Sequence, residues 1–177
     1  MEYRELVREL AESRSSKMVN NSSIEHAAVL FSEMFRRNSG HAAIFSGSLN
    51  RALYSRAEIL DAIGIFLSDS SSSLHVVVQE ASDGVDNFAF LQSQIHKKWG
   101  DEAAGRLEGR VADSDAADVG FHFATVGESA FRFESDRTKH EAFASFGRPE
   151  HVKTLKAVFQ RAWNSATKIE ALESQPA

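Results

Sequence analysis

Cysteine is absent from the 177 residues of this chain, which excludes disulfides, thiolate nucleophiles and cysteine-ligated zinc and fits a reducing compartment. No apolar run approaches the roughly 20 residues of a membrane-spanning helix, and the charged start at residues 1–5 is unlike a secretion signal. Glycine-rich phosphate loops and His-Glu-x-x-His are also missing, and the seven histidines show no metal-ligand spacing. These absences predict a cytoplasmic protein with no membrane partner, no metal and no cofactor.

The chain has fewer basic residues than acidic ones, 20 Lys and Arg against 25 Asp and Glu. The formal net charge is -5, and bulk electrostatics therefore argue against nucleic acid as a partner. A local basic patch would still permit it, and the doublets Arg36-Arg37 and Lys97-Lys98 are the best candidates. Such doublets are more often solvated helix faces. A protein partner and nucleic acid both stay open, with nucleic acid disfavoured by the net charge.

The first 40 residues have a helical pattern. Apolar residues recur at helical spacing in residues 2–13 and again in residues 24–35. Ser22 with Glu25 is a capping-box pattern for the second helix. We predict an N-terminal helical layer, residues 1–40, that packs on the rest of the chain. Arginines and glutamates alternate along its first helix, which also leaves a partner-docking role open for this layer.

From residue 41 the pattern changes to short apolar runs separated by helical stretches. The run at 41–46, a helix opened by Ser55 and Glu58, and the run at 74–78 predict a parallel strand–helix–strand crossover. Further strands and a closing helix follow from the later runs: 106–112, 121–126, 130–134 and 149–166. We predict an α/β domain over residues 41–168 and a flexible tail over residues 169–177, together forming one compact unit with the helical layer.

The order of these elements, together with three stretches of sequence, resembles one half of the phospholipase D-like fold. The stretches are Ile44 to Asn50, Phe121 to Phe133 and Phe159 to Trp163. The resemblance covers residues 42–166. It implies a phospholipase D-like mixed sheet flanked by helices, with the N-terminal helical layer added to it.

Active members of that superfamily carry His-x-Lys-x4-Asp on the strand that corresponds to residues 121–126. The resemblance implies that the His attacks phosphorus and that the Lys holds the phosphate oxygens. The corresponding positions here are His122, Ala124 and Ser129, so one of the three residues is kept. Without the Lys, the main electrostatic stabilisation of the transition state is lost. The motif predicts a degenerate active site and a chain that is not an enzyme.

The role of His122 has two interpretations. It is a structural histidine, or it is a residual nucleophile in a divergent, metal-independent phosphodiesterase or nuclease, which is our alternative function. That alternative needs a replacement cation, and Arg132 on the next strand is a weaker catalytic candidate that projects either to the site or to solvent. The resemblance implies a further set of candidate ligand-binding residues: Ser46, Ser48, Asn50, His122 and Ser129.

Superfamily members contain two such halves in one chain or pair two identical chains, with the site at the junction. A chain with a single half therefore predicts a homodimer. We predict a non-catalytic phospholipase D-like binding or assembly module that forms a homodimer.

Overall fold

The computed structural model describes residues 2–136, 139 and 141–170, and a single mixed sheet organises them. Within this part of the chain the sheet has eight strands: β1 Val19–Asn21, β2 His41–Ser46, β3 Ser73–Val78, β4 Leu107–Val111, β5 His122–Val126, β6 Ala130–Glu134, β7 Ala142–Ser145 and β8 Thr167–Lys168. The helices are α1 Tyr3–Glu12, α2 Ile24–Arg37, α3 Arg51–Tyr54, α4 Ala57–Ser68, α5 Ala81–Gly105, α6 Ser114–Ala117 and α7 Pro149–Ser165. The predicted α/β class with a mixed sheet between helices is confirmed.

The sheet has the order β1-β7-β6-β5-β2-β3-β4-β8. Strands β2, β3 and β4 are parallel to one another, whereas β5 is antiparallel to both β2 and β6. The carboxyl ends of β2, β3 and β6 and the amino end of β5 therefore meet at one edge of the sheet. The polar ends of these strands lie close together there, and this edge holds the candidate site.

Two apolar layers cover the sheet, one on each face. Helices α1, α2, α4 and α5 pack on the face that carries Ile44, Val76 and Ala124. Helix α7 covers the opposite face over Phe45 and Phe123. Successive residues of a strand point to opposite faces, so residues two apart share a face. His122 and Ala124 of β5 therefore lie on the face covered by α2, as do their partners on β6, Glu134 and Arg132.

Most of the predicted elements are confirmed. The β2–α4–β3 crossover is parallel, with Ala42 paired with Leu74, and the β5–β6 hairpin turns through Gly127, whose φ is 67°. Helix α2 begins where its pattern predicts, but the capping residue is wrong: Oγ of Ser23, rather than Ser22, accepts the His26 N–H at 3.1 Å. The chain is extended at Ser23, which places its hydroxyl over the free amides of the first turn.

Three short strands are not predicted by the sequence pattern: β1, β7 and β8. Strand β8 also changes the predicted tail. Lys168 pairs with Arg110, the Ile169 N–H donates to the Gly109 carbonyl at 2.9 Å, and Ile169 is buried. Residue 169 thus belongs to the packed domain because its side chain completes the core beside β4. Of the rest of the predicted tail, Glu170 is exposed, and residues 171–177 lie outside the described residues.

Candidate functional site

A cavity of about 410 Å³ opens at the sheet edge where β2, β3 and β6 end and β5 begins. Its polar lining comes from Asn21, Ser23, Ser46, Ser48, Asn50, Glu80, His122, Arg132 and Glu134. Its apolar wall includes Ile24 and Phe31 of α2 and Leu53 and Tyr54 of α3. A cavity of this size, with apolar walls and a few convergent polar groups, is typical of a small-ligand site.

The loop after β2 forms one side of the cavity and is fixed by its own side chains. The Leu49 N–H donates to Oγ of Ser46 at 3.2 Å, and Leu49 adopts a φ of 56°. Oδ1 of Asn50 accepts the Ala52 N–H at 2.9 Å and so caps α3. Nδ2 of Asn87 donates to the Ser48 carbonyl at 2.8 Å. The loop is therefore held in place without any ligand.

Gly47 brings two functional side chains close together. A Cβ added at Gly47 would lie 3.2 Å from Oε1 of Glu80 and 3.2 Å from Nε2 of His122. The Glu80 N–H also donates to the Gly47 carbonyl at 2.8 Å, which fixes the start of α5 against this loop. The missing side chain leaves room for the carboxylate and the imidazole to face the same space.

His122 opens β5 and is half-buried. In the sheet it pairs with Glu134 of β6, and the two side chains share the α2 face because cross-strand partners point the same way. His122 is thus placed at the mouth of the cavity, between Glu134 and the Gly47 loop.

Arg132 is buried rather than directed to solvent, because its charge is matched inside the protein. Nε donates to Oδ1 of Asn21 at 3.0 Å, and Nη2 donates to Oε2 of Glu134 at 3.2 Å. Its guanidinium carbon lies 5.6 Å from the centre of the Phe31 ring. Buried charges persist when they are paired and hydrogen-bonded in this way. This arrangement excludes the predicted solvent-facing alternative for Arg132.

Arg132 of β6 is the cross-strand partner of Ala124 of β5. Residue 124 is the position at which the resemblance implies a Lys. Ala124 is buried, so a methyl group stands where a phosphate-binding cation would be expected.

Nearby, burial raises the pKa of Tyr54 well above its ordinary value. The phenol of Tyr54 is therefore protonated across the physiological range.

The cavity unites four of the five predicted ligand-binding residues: Ser46, Ser48, Asn50 and His122. Ser129 does not line it. It lies in the β5–β6 turn, at the end of the hairpin away from His122, and its hydroxyl donates to the Phe146 carbonyl at 2.9 Å. The structure does not bring Ser129 together with the other four residues, because the turn and the cavity are at opposite ends of the same two strands.

The sequence analysis missed Asn21, Glu80 and Glu134, and neither Asn21 nor Glu80 has a distinguishing pattern among the other polar residues. Alternation along residues 130–134 places Arg132 and Glu134 on one strand face, which is the signal that would have linked them. Asn21 is 111 positions from Arg132 in sequence, so only the tertiary fold brings them together.

One residue of each basic doublet is paired with carboxylates, whereas Arg36 and Lys97 are exposed and belong to no ion pair among the described residues. Arg37 pairs with Glu12 at 2.8 Å and with Glu33 at 3.1 Å. Lys98 pairs with Asp61 at 2.6 Å.

In the part of the chain that the structure describes, no group of three or more His, Asp or Glu residues could hold a metal ion. None of the described helices has the length and apolar character needed to cross a bilayer.

Solved structures with the same arrangement identify the fold. Nuc, a phospholipase D family member from Salmonella typhimurium, is similar with a TM-score of 0.60 and 12% identity over 86% of this chain and 98% of its own. TrmBL2, an archaeal chromatin protein described with a novel mode of DNA binding, gives 0.58 and 15% over 93% of this chain and 60% of its own. Phosphatidylserine synthase from Haemophilus influenzae Rd KW20 gives 0.56 and 9% over 86% of this chain and 39% of its own.

No protein-family model and no curated protein matches the sequence, so the similarity lies in the fold. The chain has the phospholipase D-like fold, as the element order predicts. Fold alone does not determine function, and the chemistry of this chain has to be argued from its own cavity.

Proposed function

We propose that this chain is a non-catalytic phospholipase D-like binding module that acts as a homodimer and takes its ligand in the cavity beside His122. One observation carries the proposal: Ala124 stands at the expected Lys position, and the opposing cation, Arg132, is bound to Glu134 and Asn21.

Phosphoryl transfer depends on cations aimed at the charge that develops on the phosphoryl oxygens. Arg132 is the one permanent cation among the described residues that line the cavity. Its bond to Glu134 leaves a carboxylate beside any phosphate that approached it. A phosphate would therefore have to compete with Glu134 for the guanidinium and would be repelled by Glu134 itself. The cavity supports binding rather than phosphodiester cleavage.

The extent of the structural similarity supports the dimer. The similarity covers 98% of Nuc but 39% of phosphatidylserine synthase, so the matched region corresponds to one unit of the fold. The resemblance implies that two such units meet at the site, and a second copy supplies the other unit in our proposal.

Light scattering coupled to size exclusion at micromolar concentration tests the dimer, and the expected mass is twice that of the chain. A monomer would overturn this part of the proposal. Adding short single- and double-stranded oligonucleotides at low and moderate salt gives a second readout. We expect no shift, since the formal net charge is -5 and Arg37 and Lys98, one residue of each doublet, are already paired.

Hydrolysis of bis(4-nitrophenyl) phosphate tests the absence of catalysis. We expect no turnover above buffer and no difference between the wild type and His122→Ala. The alternative, a divergent phosphodiesterase that uses His122, predicts turnover that His122→Ala abolishes while the circular dichroism spectrum is retained. That result would overturn the non-catalytic proposal.

A further inference from the structure

A carboxylate lies at the mouth of the cavity. Glu80 lines the cavity beside Gly47 and is exposed, and none of the ion pairs among the described residues includes it. Glu134, the other carboxylate of the lining, is matched by Arg132. The permanent charges of the described lining residues therefore sum to one uncompensated negative charge, located at Glu80.

The interior of the cavity is apolar and aromatic. Phe31 and Tyr54 form part of its wall with ring centres 5.6 Å apart, and Ile24 and Leu53 extend that wall. Tyr54 is uncharged, as a tyrosine is at physiological pH, and burial raises the pKa of its phenol further. This wall accepts an apolar body, and the Arg132 guanidinium carbon already lies 5.6 Å from the centre of the Phe31 ring.

These two features select against anions and in favour of organic cations. A phosphate group would meet the carboxylates of Glu80 and Glu134 and one guanidinium that is already paired. An ammonium group at the mouth would instead meet Glu80, at the space that Gly47 leaves open. Opposite charges a few ångströms apart at a partly buried site attract appreciably.

We propose that the cavity binds a small organic ammonium ion with an apolar body, with the ammonium against Glu80 and the body against Phe31 and Tyr54. This inference rests on the proposed binding function and names its ligand class. The site then lies in a phospholipase D-like fold but prefers a cation to a phosphate anion.

Isothermal titration with three probes tests the charge preference: phenethylammonium, its uncharged analogue 2-phenylethanol, and inorganic phosphate. We expect phenethylammonium to bind about tenfold or more tightly than 2-phenylethanol, since a charge-assisted contact is lost in the alcohol. Phosphate should not bind detectably. Equal binding of amine and alcohol, tighter binding of phosphate, or no amine binding at millimolar concentration would each overturn the inference.

Two variants locate the site. Glu80→Gln keeps the shape of the side chain and should weaken phenethylammonium about tenfold without changing the affinity for 2-phenylethanol. Glu102→Gln, an exposed glutamate of α5 outside the cavity, is the matched control and should leave the affinity for the amine unchanged. Equal effects of the two variants would overturn the assignment to Glu80.

Gly47→Ala provides an independent steric test. Its methyl group would lie 3.2 Å from both Glu80 Oε1 and His122 Nε2, which narrows the space assigned to the ammonium. We expect amine affinity to fall while the circular dichroism spectrum is retained, and an unchanged affinity would contradict the placement.

The outcomes separate this inference from the proposed function. A dimer with no phosphodiesterase turnover that ignores phenethylammonium would refute the ligand class alone. A monomer, or turnover that depends on His122, would refute the proposed function whatever the amine does.

Discussion

The buried pair of Arg132 and Glu134 offers a quantitative test of the site. Nη2 of Arg132 lies 3.2 Å from Oε2 of Glu134, and the side chains are 10% and 9% exposed. Arg132→Met removes the cation, keeps a long unbranched side chain, and leaves Glu134 without its counter-ion. Breaking a buried pair costs about 3–5 kcal/mol. Because the cavity reaches both residues, we expect the lower end, about 3 kcal/mol of unfolding free energy.

A double variant separates the pair from its surroundings. Replacing a buried ion pair by apolar side chains is often neutral or stabilising, so Arg132→Met combined with Glu134→Met should lie within about 1 kcal/mol of the wild type. Urea unfolding followed by tryptophan fluorescence and circular dichroism measures the four proteins of the cycle. The matched control is Lys98→Met, which breaks the exposed pair with Asp61 and should cost under about 1 kcal/mol.

The reasoning would be refuted if Arg132→Met cost no more than Lys98→Met, or if the effects of the two substitutions at Arg132 and Glu134 were additive. Either result would mean that Glu134 does not depend on Arg132 for its stability. The guanidinium would then be available to another anion, and the argument against phosphate in this cavity would lose its main support.

Two further predictions concern the rest of the fold. Burial, followed by the charge of His75, lowers the pKa of His41 from 6.5 to about 4, so the folded state binds fewer protons than the unfolded chain and loses stability as the pH falls through that window. Because His41 is partly exposed, we expect this loss of unfolding free energy to be limited to about 1 kcal/mol. His41→Gln should reduce the difference in urea midpoint between neutral and acidic buffer. An equal loss in the wild type and the variant would contradict this. A Cβ at Gly109 would lie 2.7 Å from the Phe88 ring, so Gly109→Ala should lower the unfolding free energy by about 1–3 kcal/mol. Gly105→Ala, with nothing within 4 Å, is its control, and similar urea midpoints for the two variants would argue against tight packing at β4.

The sequence predicted the elements whose pattern is local. Strand β2 is a continuous apolar run between polar ends, and the β5–β6 hairpin alternates around Gly127, so periodicity was sufficient for both. Strands β1 and β7 were missed because three or four residues carry little pattern of their own. Their pairing, with Val19 opposite Ala144, is a tertiary contact between distant segments, and such contacts outweigh local preference in sheets.

The candidate site was predictable only in part, for a related reason. The Ser46 to Asn50 loop and His122 were recognisable because they lie at the ends of clear strands, which parallel and antiparallel pairing bring to one edge. Glu80 was not, because our proposal for it depends on its position beside Gly47 and on the lack of a counter-ion among the described residues. Both the proximity of Glu80 to Gly47 and its lack of an ion pair depend on the tertiary fold, so the sequence alone does not predict them.

The pairing of Ala124 with Arg132 explains how this edge of the sheet stays packed without a Lys at residue 124. The cross-strand partner of residue 124 is Arg132, so a Lys at 124 would place two cations side by side, with Glu134 as the nearest carboxylate. With Ala at 124, Arg132 turns its charge to Glu134 and Asn21, and the hairpin is tied to β1. The same guanidinium that would otherwise be a candidate for binding phosphate instead holds the N-terminal segment on the sheet. The only uncompensated charge left among the described residues of the lining is then the carboxylate of Glu80, which is why we expect the ligand to be a cation.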